Sequence, residues 1–176
     1  MNLVCWKRSS VAAMAALMMV SVTTLAGPIT PPPGPVTSTP GPEPRVAINA
    51  TNTPGDADSM FKITQPGSYY LAGNITGVAG KHGIEIAASG VTIDLNGFDL
   101  VGVAGMGAFD GVSVTVAGLS NLAVRNGSVR QWGDDGVDLA AFSPTTCIVK
   151  DVRATGNGGD GVVVGAHSLV SDCTAS

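Results

Sequence analysis

Gly83-Ile84-Glu85-Ile86, Gly111-Val112-Ser113-Val114, Gly136-Val137-Asp138-Leu139 and Gly161-Val162-Val163-Val164 open four segments in the same way. Their lead glycines lie 28, 25 and 25 residues apart. Self-similarity at a period in the twenties marks a solenoid, in which a unit too small to bury its own apolar face stacks on copies of itself. Each unit carries a second short apolar run, at residues 91–95, 122–125, 147–150 and 168–171. The alternation has period two, with Val, Ile and Leu on one face, which is the spacing of a strand. Asn96-Gly97, Asn126-Gly127 and Gly156-Asn157-Gly158-Gly159 read as turns between the runs. No capped helical period interrupts them, which argues against ankyrin-like and most leucine-rich solenoids. The pattern predicts an all-β parallel β-helix of about four short coils, with stacked strands about 4.8 Å apart.

Upstream of the repeats the composition changes three times. Residues 1–26 have a basic start at Lys7 and Arg8, an apolar core over 11–22 and small residues at Thr24 and Ala26, the features of a cleaved signal peptide. Residues 27–44 hold eight of the chain's 11 prolines and read as an extended tether. Residues 45–76 regain strand alternation and carry both tyrosines and Phe61, as an atypical unit covering the end of a stack should. Coils then fill 77–176, and the last one stops without a closing unit. The expectation is therefore a longer reading frame, or another subunit that covers that end by end-to-end association.

With the signal removed, seven basic residues face 13 acids. An acidic chain without a basic cluster argues against nucleic acid or an anionic membrane as partner and favours divalent cations as company. Export would permit a disulfide between Cys147 and Cys173, but the repeat register sets them out of step, with Cys147 just before a core position and Cys173 on one. Two unpaired thiols are expected.

One column draws attention before any family is considered. The residues just ahead of the lead glycines are His82, Asp110, Asp135 and Asp160. Asp-Gly is a turn pair, and each carboxylate can accept from its own turn. Alternatively, Asp110, Asp135 and Asp160, stacked at the inter-coil spacing, form a calcium site, since a hard cation relieves like-charge repulsion.

QPGSYYLAGN (65–74), GIEIAASGVTIDLNGF (83–98) and NLAVRNGSVRQW (121–132) make the chain similar to secreted bacterial right-handed parallel β-helix repeat proteins of pectin-lyase-like architecture, over residues 61–176; the resemblance implies a right-handed coil. That resemblance implies a polysaccharide groove along one strand face, where the outward row Glu85, Ser113, Asp138 and Val163 would lie. Asp134, Asp135 and Asp138 offer the paired carboxylates of glycoside hydrolysis, and their Asp-Asp pair superficially resembles the polygalacturonase pattern. The Gly-His-Gly that pattern needs one coil later reads Gly158-Gly159-Asp160-Gly161, and no Arg-x-Lys follows. A lyase would need an arginine or lysine base; Lys150 and Arg153 are candidates, though solvated strand flanks usually carry such charges, and Trp132 either stacks on a sugar ring or fills a corner of the coil. Two functions stay open: a secreted scaffold or binding module contacting extracellular polysaccharide or surface partners, and the amino-terminal part of a polysaccharide lyase, epimerase or hydrolase.

Overall fold

The computed structural model describes residues 45–176. The signal-type segment and the proline-rich tether, residues 1–44, lie outside the described residues. The described chain opens with β1 (Val46–Ala47), β2 (Ser59–Ile63), β3 (Gly67–Tyr70) and β4 (Ile75–Thr76). Then come β5 (His82–Ile86), β6 (Val91–Asp94), β7 (Asp99–Val101) and β8 (Val112–Val114). The remainder is β9 (Ala123–Arg130), β10 (Val137–Leu139), β11 (Ile148–Thr155), β12 (Val162–Val164), β13 (Leu169–Ser171) and β14 (Thr174–Ala175).

These strands stack into two parallel sheets, and the fold is a β-solenoid. One sheet runs β2-β5-β8-β10-β12, five strands that carry the glycine-led segments. The other runs β1-β3-β6-β9-β11-β13, with β4, β7 and β14 extending its second arm. There are five coils where the repeats alone predicted about four. The extra coil comes from residues 45–76: β2 stacks on β5 and β3 on β6, in the same parallel register as the repeats.

Alternation dictates what fills the interior. In the glycine-led sheet, Phe61, Ile84, Val112, Val137 and Val162 form one inward row, and Ile63, Ile86, Val114, Leu139 and Val164 form the next. The second sheet contributes Tyr69, Ile93, Val124, Val149 and Val170. Its second arm adds Ile75, Leu100, Val129, Ala154 and Ala175. Burial of such rows is the main favourable term in a stack of short strands.

The corners differ in kind. Asn96-Gly97 makes a turn with φ of 54° and 79°, whereas Asn126-Gly127 does not make the turn expected of it. Asn126 is a single left-handed residue (φ 60°) inside continuous β9, and Asp151 (φ 54°) bends β11 at the same height. One such residue turns the strand while both arms keep their ladders, and Asn and Asp tolerate that conformation better than other side chains. Asp94 ties this corner together. Its Oδ1 accepts from Asn96 N–H and Asn126 Nδ2, while its Oδ2 meets Arg45 at 3.0 Å and Arg125 at 3.3 Å.

Both described cysteines are unpaired thiols. Cys173 is in step with the core position of Val152, as expected. Cys147 corrects its expectation: it is itself fully buried, level with Leu122, because the core row begins one residue before β11 does.

Candidate functional site

The lead glycines are needed because coils touch there. A Cβ on Gly111 would lie 2.2 Å from Val129 Cγ1 and 2.5 Å from the carbonyl oxygen of Gly136. A Cβ on Gly136 would meet the Gly161 carbonyl at 2.6 Å. With no side chain at that position, each coil passes close over the next, and the residue just before the glycine is held at the coil's edge.

That edge residue is where the predicted column appears, with bonds that differ from both readings of the sequence. Asp110 N–H donates to Nδ1 of His82 (2.9 Å), Asp135 N–H to Oδ1 of Asp110 (3.0 Å) and Asp160 N–H to Oδ1 of Asp135 (2.6 Å). Each side chain thus accepts from the backbone of the following coil and not from its own turn. His82 Nδ1 also lies 3.4 Å from Asp110 Oδ2. Phe109 packs edge-on against the imidazole at 4.9 Å.

The carboxylates converge in a grouping the sequence did not indicate. Asp110, Asp134 and Asp135 each bring a ligand-capable oxygen within 4.8 Å of the others, while Asp160 of the predicted calcium set lies outside that group. Asp110 is buried and its Oδ2 accepts from Ser113 Oγ at 2.9 Å. Burial holds Asp110 above the ordinary carboxylate range against the pull of those bonds. Asp135 is raised as well, by burial first and then by the charges of Asp134, Asp138 and Asp160. Asp138 Oδ1 caps its own turn, accepting from the N–H groups of Ala140 (2.8 Å) and Ala141 (3.1 Å).

The outward row predicted to line a groove exists as a register: Glu85, Ser113, Asp138 and Val163 are paired coil to coil. It continues backward to Lys62, which pairs with Glu85. Access is where the expectation fails, because Glu85 is only 1% exposed. Lys62 Nζ sits 2.5 Å from its Oε1 and 2.7 Å from Asp56 Oδ2, and Thr115 Oγ1 also donates to that Oε1. A carboxylate so covered cannot meet a polymer. Lys62 joins the row from outside the glycine-led repeats. The signal was the matching text Phe61-Lys62-Ile63 and Ile84-Glu85-Ile86, which sets a cation directly against an anion.

Trp132 fills a corner. It is 2% exposed, its Nε1 donates to the carbonyl of Leu100 at 3.1 Å, and its ring lies against Gly77 and Gly83. A ring so enclosed has no face left for a sugar. Lys150 and Arg153 lie on β11, in the other sheet, and are not brought to the acidic edge. Lys150 stacks on Arg125 and pairs with Asp172 at 3.8 Å; Arg153 stacks on Ser128 and donates to its Oγ at 2.7 Å.

The geometry therefore defines a parallel β-solenoid with a bonded acidic edge. No protein-family model matches the chain, and comparison with curated proteins and with solved structures returns no match.

Proposed function

We propose that this chain is an exported β-solenoid scaffold or binding module, of the pectin-lyase-like kind, that contacts extracellular polysaccharide or surface partners without chemistry of its own in this segment. One observation carries the reading: carboxylates placed where an acid–base pair would stand already hold the stack together. Asp110 and Asp135 accept backbone N–H groups from the next coil, and Asp138 caps a turn. A catalytic carboxylate has to be available to the proton it moves. The second reading, part of a polysaccharide-active enzyme, draws on Asp134. Its carboxylate accepts no hydrogen bond among the described residues and lies in the group with Asp110 and Asp135.

Two measurements on the purified protein separate them. Depletion from solution by insoluble polysaccharides, without release of unsaturated or reducing ends from uronate polymers in the presence or absence of calcium, is the expected result. Cleavage that Asp134→Asn abolishes would replace the scaffold with the enzyme.

A further inference from the structure

Away from the acidic edge, a second group of carboxylates spans the first and second coils. Asp56, Asp58 and Glu85 each present an oxygen within 4.8 Å of the others. Acidic groups at a surface are common and mean little alone. Here one member is different: Glu85 is 1% exposed, and its Oε2 is buried with no hydrogen-bond partner. Buried polar atoms are nearly always satisfied, and an orphaned carboxylate oxygen asks for a positive group.

The charges near it fall short of that need. Lys62 spans Asp56 and Glu85, and those two carboxylates hold its ammonium well above the ordinary lysine range. Lys81 donates to the main-chain oxygen of Asp56 and leaves the carboxylates to Lys62. Asp58 has no ion-pair partner among the described residues. Three carboxylates against the one ammonium that touches them leave two negative charges unmatched.

We propose that Asp56, Asp58 and Glu85 form a site for a divalent, oxygen-preferring cation, with Lys62 sharing its carboxylates. Calcium-sized ions hold oxygens at about 2.3–2.6 Å, so ligand atoms 4.8 Å apart or less can reach one ion between them. The turn that carries Asp56 and Asp58 is already fixed: Asp56 Oδ1 accepts from Ser59 N–H at 3.1 Å and from Ser59 Oγ at 2.8 Å. Bound there, the ion ties residues 56–58 to β5 and so clamps the first coil to the second. This site is independent of the polysaccharide reading, which stands or falls on a different measurement.

Thermal melting and calorimetric titration of the whole purified chain with calcium chloride and magnesium chloride, at constant ionic strength, test it. A saturable rise in Tm with calcium is expected. Asp58→Asn, an exposed change that spares the fold, should weaken binding at least ~10-fold by removing one of the anionic ligands. Lys62→Met removes a competing positive charge and should tighten binding by on the order of 10-fold. Asp134→Asn, in the other carboxylate group, should leave this calcium shift in place. No saturable shift, or a shift that survives Asp58→Asn and disappears with Asp134→Asn, would overturn the assignment.

Discussion

Asp135 and Asp94 respond to pH in opposite directions, because one is half-buried at a crowded acidic edge and the other, though buried, is wrapped in donors and cations. Burial and neighbouring carboxylates raise Asp135, so the native state holds its proton more tightly than the unfolded chain does. Stability then falls as pH climbs from the ordinary carboxylate value, about 4, through the raised native value. Asp135→Asn keeps an oxygen for Asp160 N–H; it should match the parent near pH 3 and be more stable at pH 7, by up to about 1 kcal/mol. For Asp94, burial works upward, but Asn96 N–H, Asn126 and the two arginines outweigh it and the carboxyl is lowered. Its contribution is present above the ordinary value and lost as pH falls through the native one, so Asp94→Asn should cost most at pH 7 and least in acid. Melting temperatures of the two variants against pH check both signs. The column of residues before the lead glycines was legible from spacing. Its bonding was not, because whether a carboxylate serves its own turn or the next coil is decided by coil geometry that spacing leaves open. Glu85 was legible as outward but not as covered, since Lys62 reaches it from a stretch taken for a cap.

Among the elements, the glycine-led strands were read correctly because close coil contact and period-two alternation both leave marks in the sequence. The bend inside β9 was misread, since Asn-Gly is the commonest text for a two-residue turn and only Asn126 here adopts the left-handed conformation. Trp132 was ambiguous for a plain reason: a large aromatic serves equally as a platform or as filler until its surroundings are known. The lead glycines allow a sharp comparison. Gly111→Ala drives a methyl into Val129 and the Gly136 carbonyl, and should cost about 1–3 kcal/mol or more. Gly97→Ala meets open space and only a positive φ, and should cost about 1 kcal/mol. Denaturant midpoints at unchanged m-value distinguish the two; equal losses would mean that the coils do not press together at that column.

Apart from Lys62 and Lys81, which sit with Asp56 and Glu85, charge among the described residues is sorted by face. Arg45, Arg125, Arg130, Lys150 and Arg153 belong to the second sheet or its approach, where Asp94, Asp99, Asp151 and Asp172 offset them, whereas Asp110, Asp134, Asp135, Asp138 and Asp160 crowd the glycine-led side. Stability should vary along the axis as well. β6, β8 and β9 are flanked by coils on both sides, while β13 and β14 are largely exposed, with Leu169 and Val170 open to solvent. In a molecule whose units contact only their neighbours, amide exchange should be slowest in β6, β8 and β9 and fastest in β13 and β14. Uniform protection would show a single cooperative block instead.

The edge bonds carry one more implication. From Asp110 to Asp135 and from Asp135 to Asp160 the partner is always 25 residues on, and the same interval separates Trp132 from Asn157 and Ser128 from Arg153. In three of these bonds the later residue donates to the earlier, and in the fourth Trp132 N–H donates forward to Asn157, but all four share one interval, so the stack has a pitch. Loss or gain of one whole 25-residue turn would hand each donor to an equivalent acceptor, whereas a change of any other length would break that pitch. Such a molecule lengthens and shortens in steps, and twenty-five residues is the step.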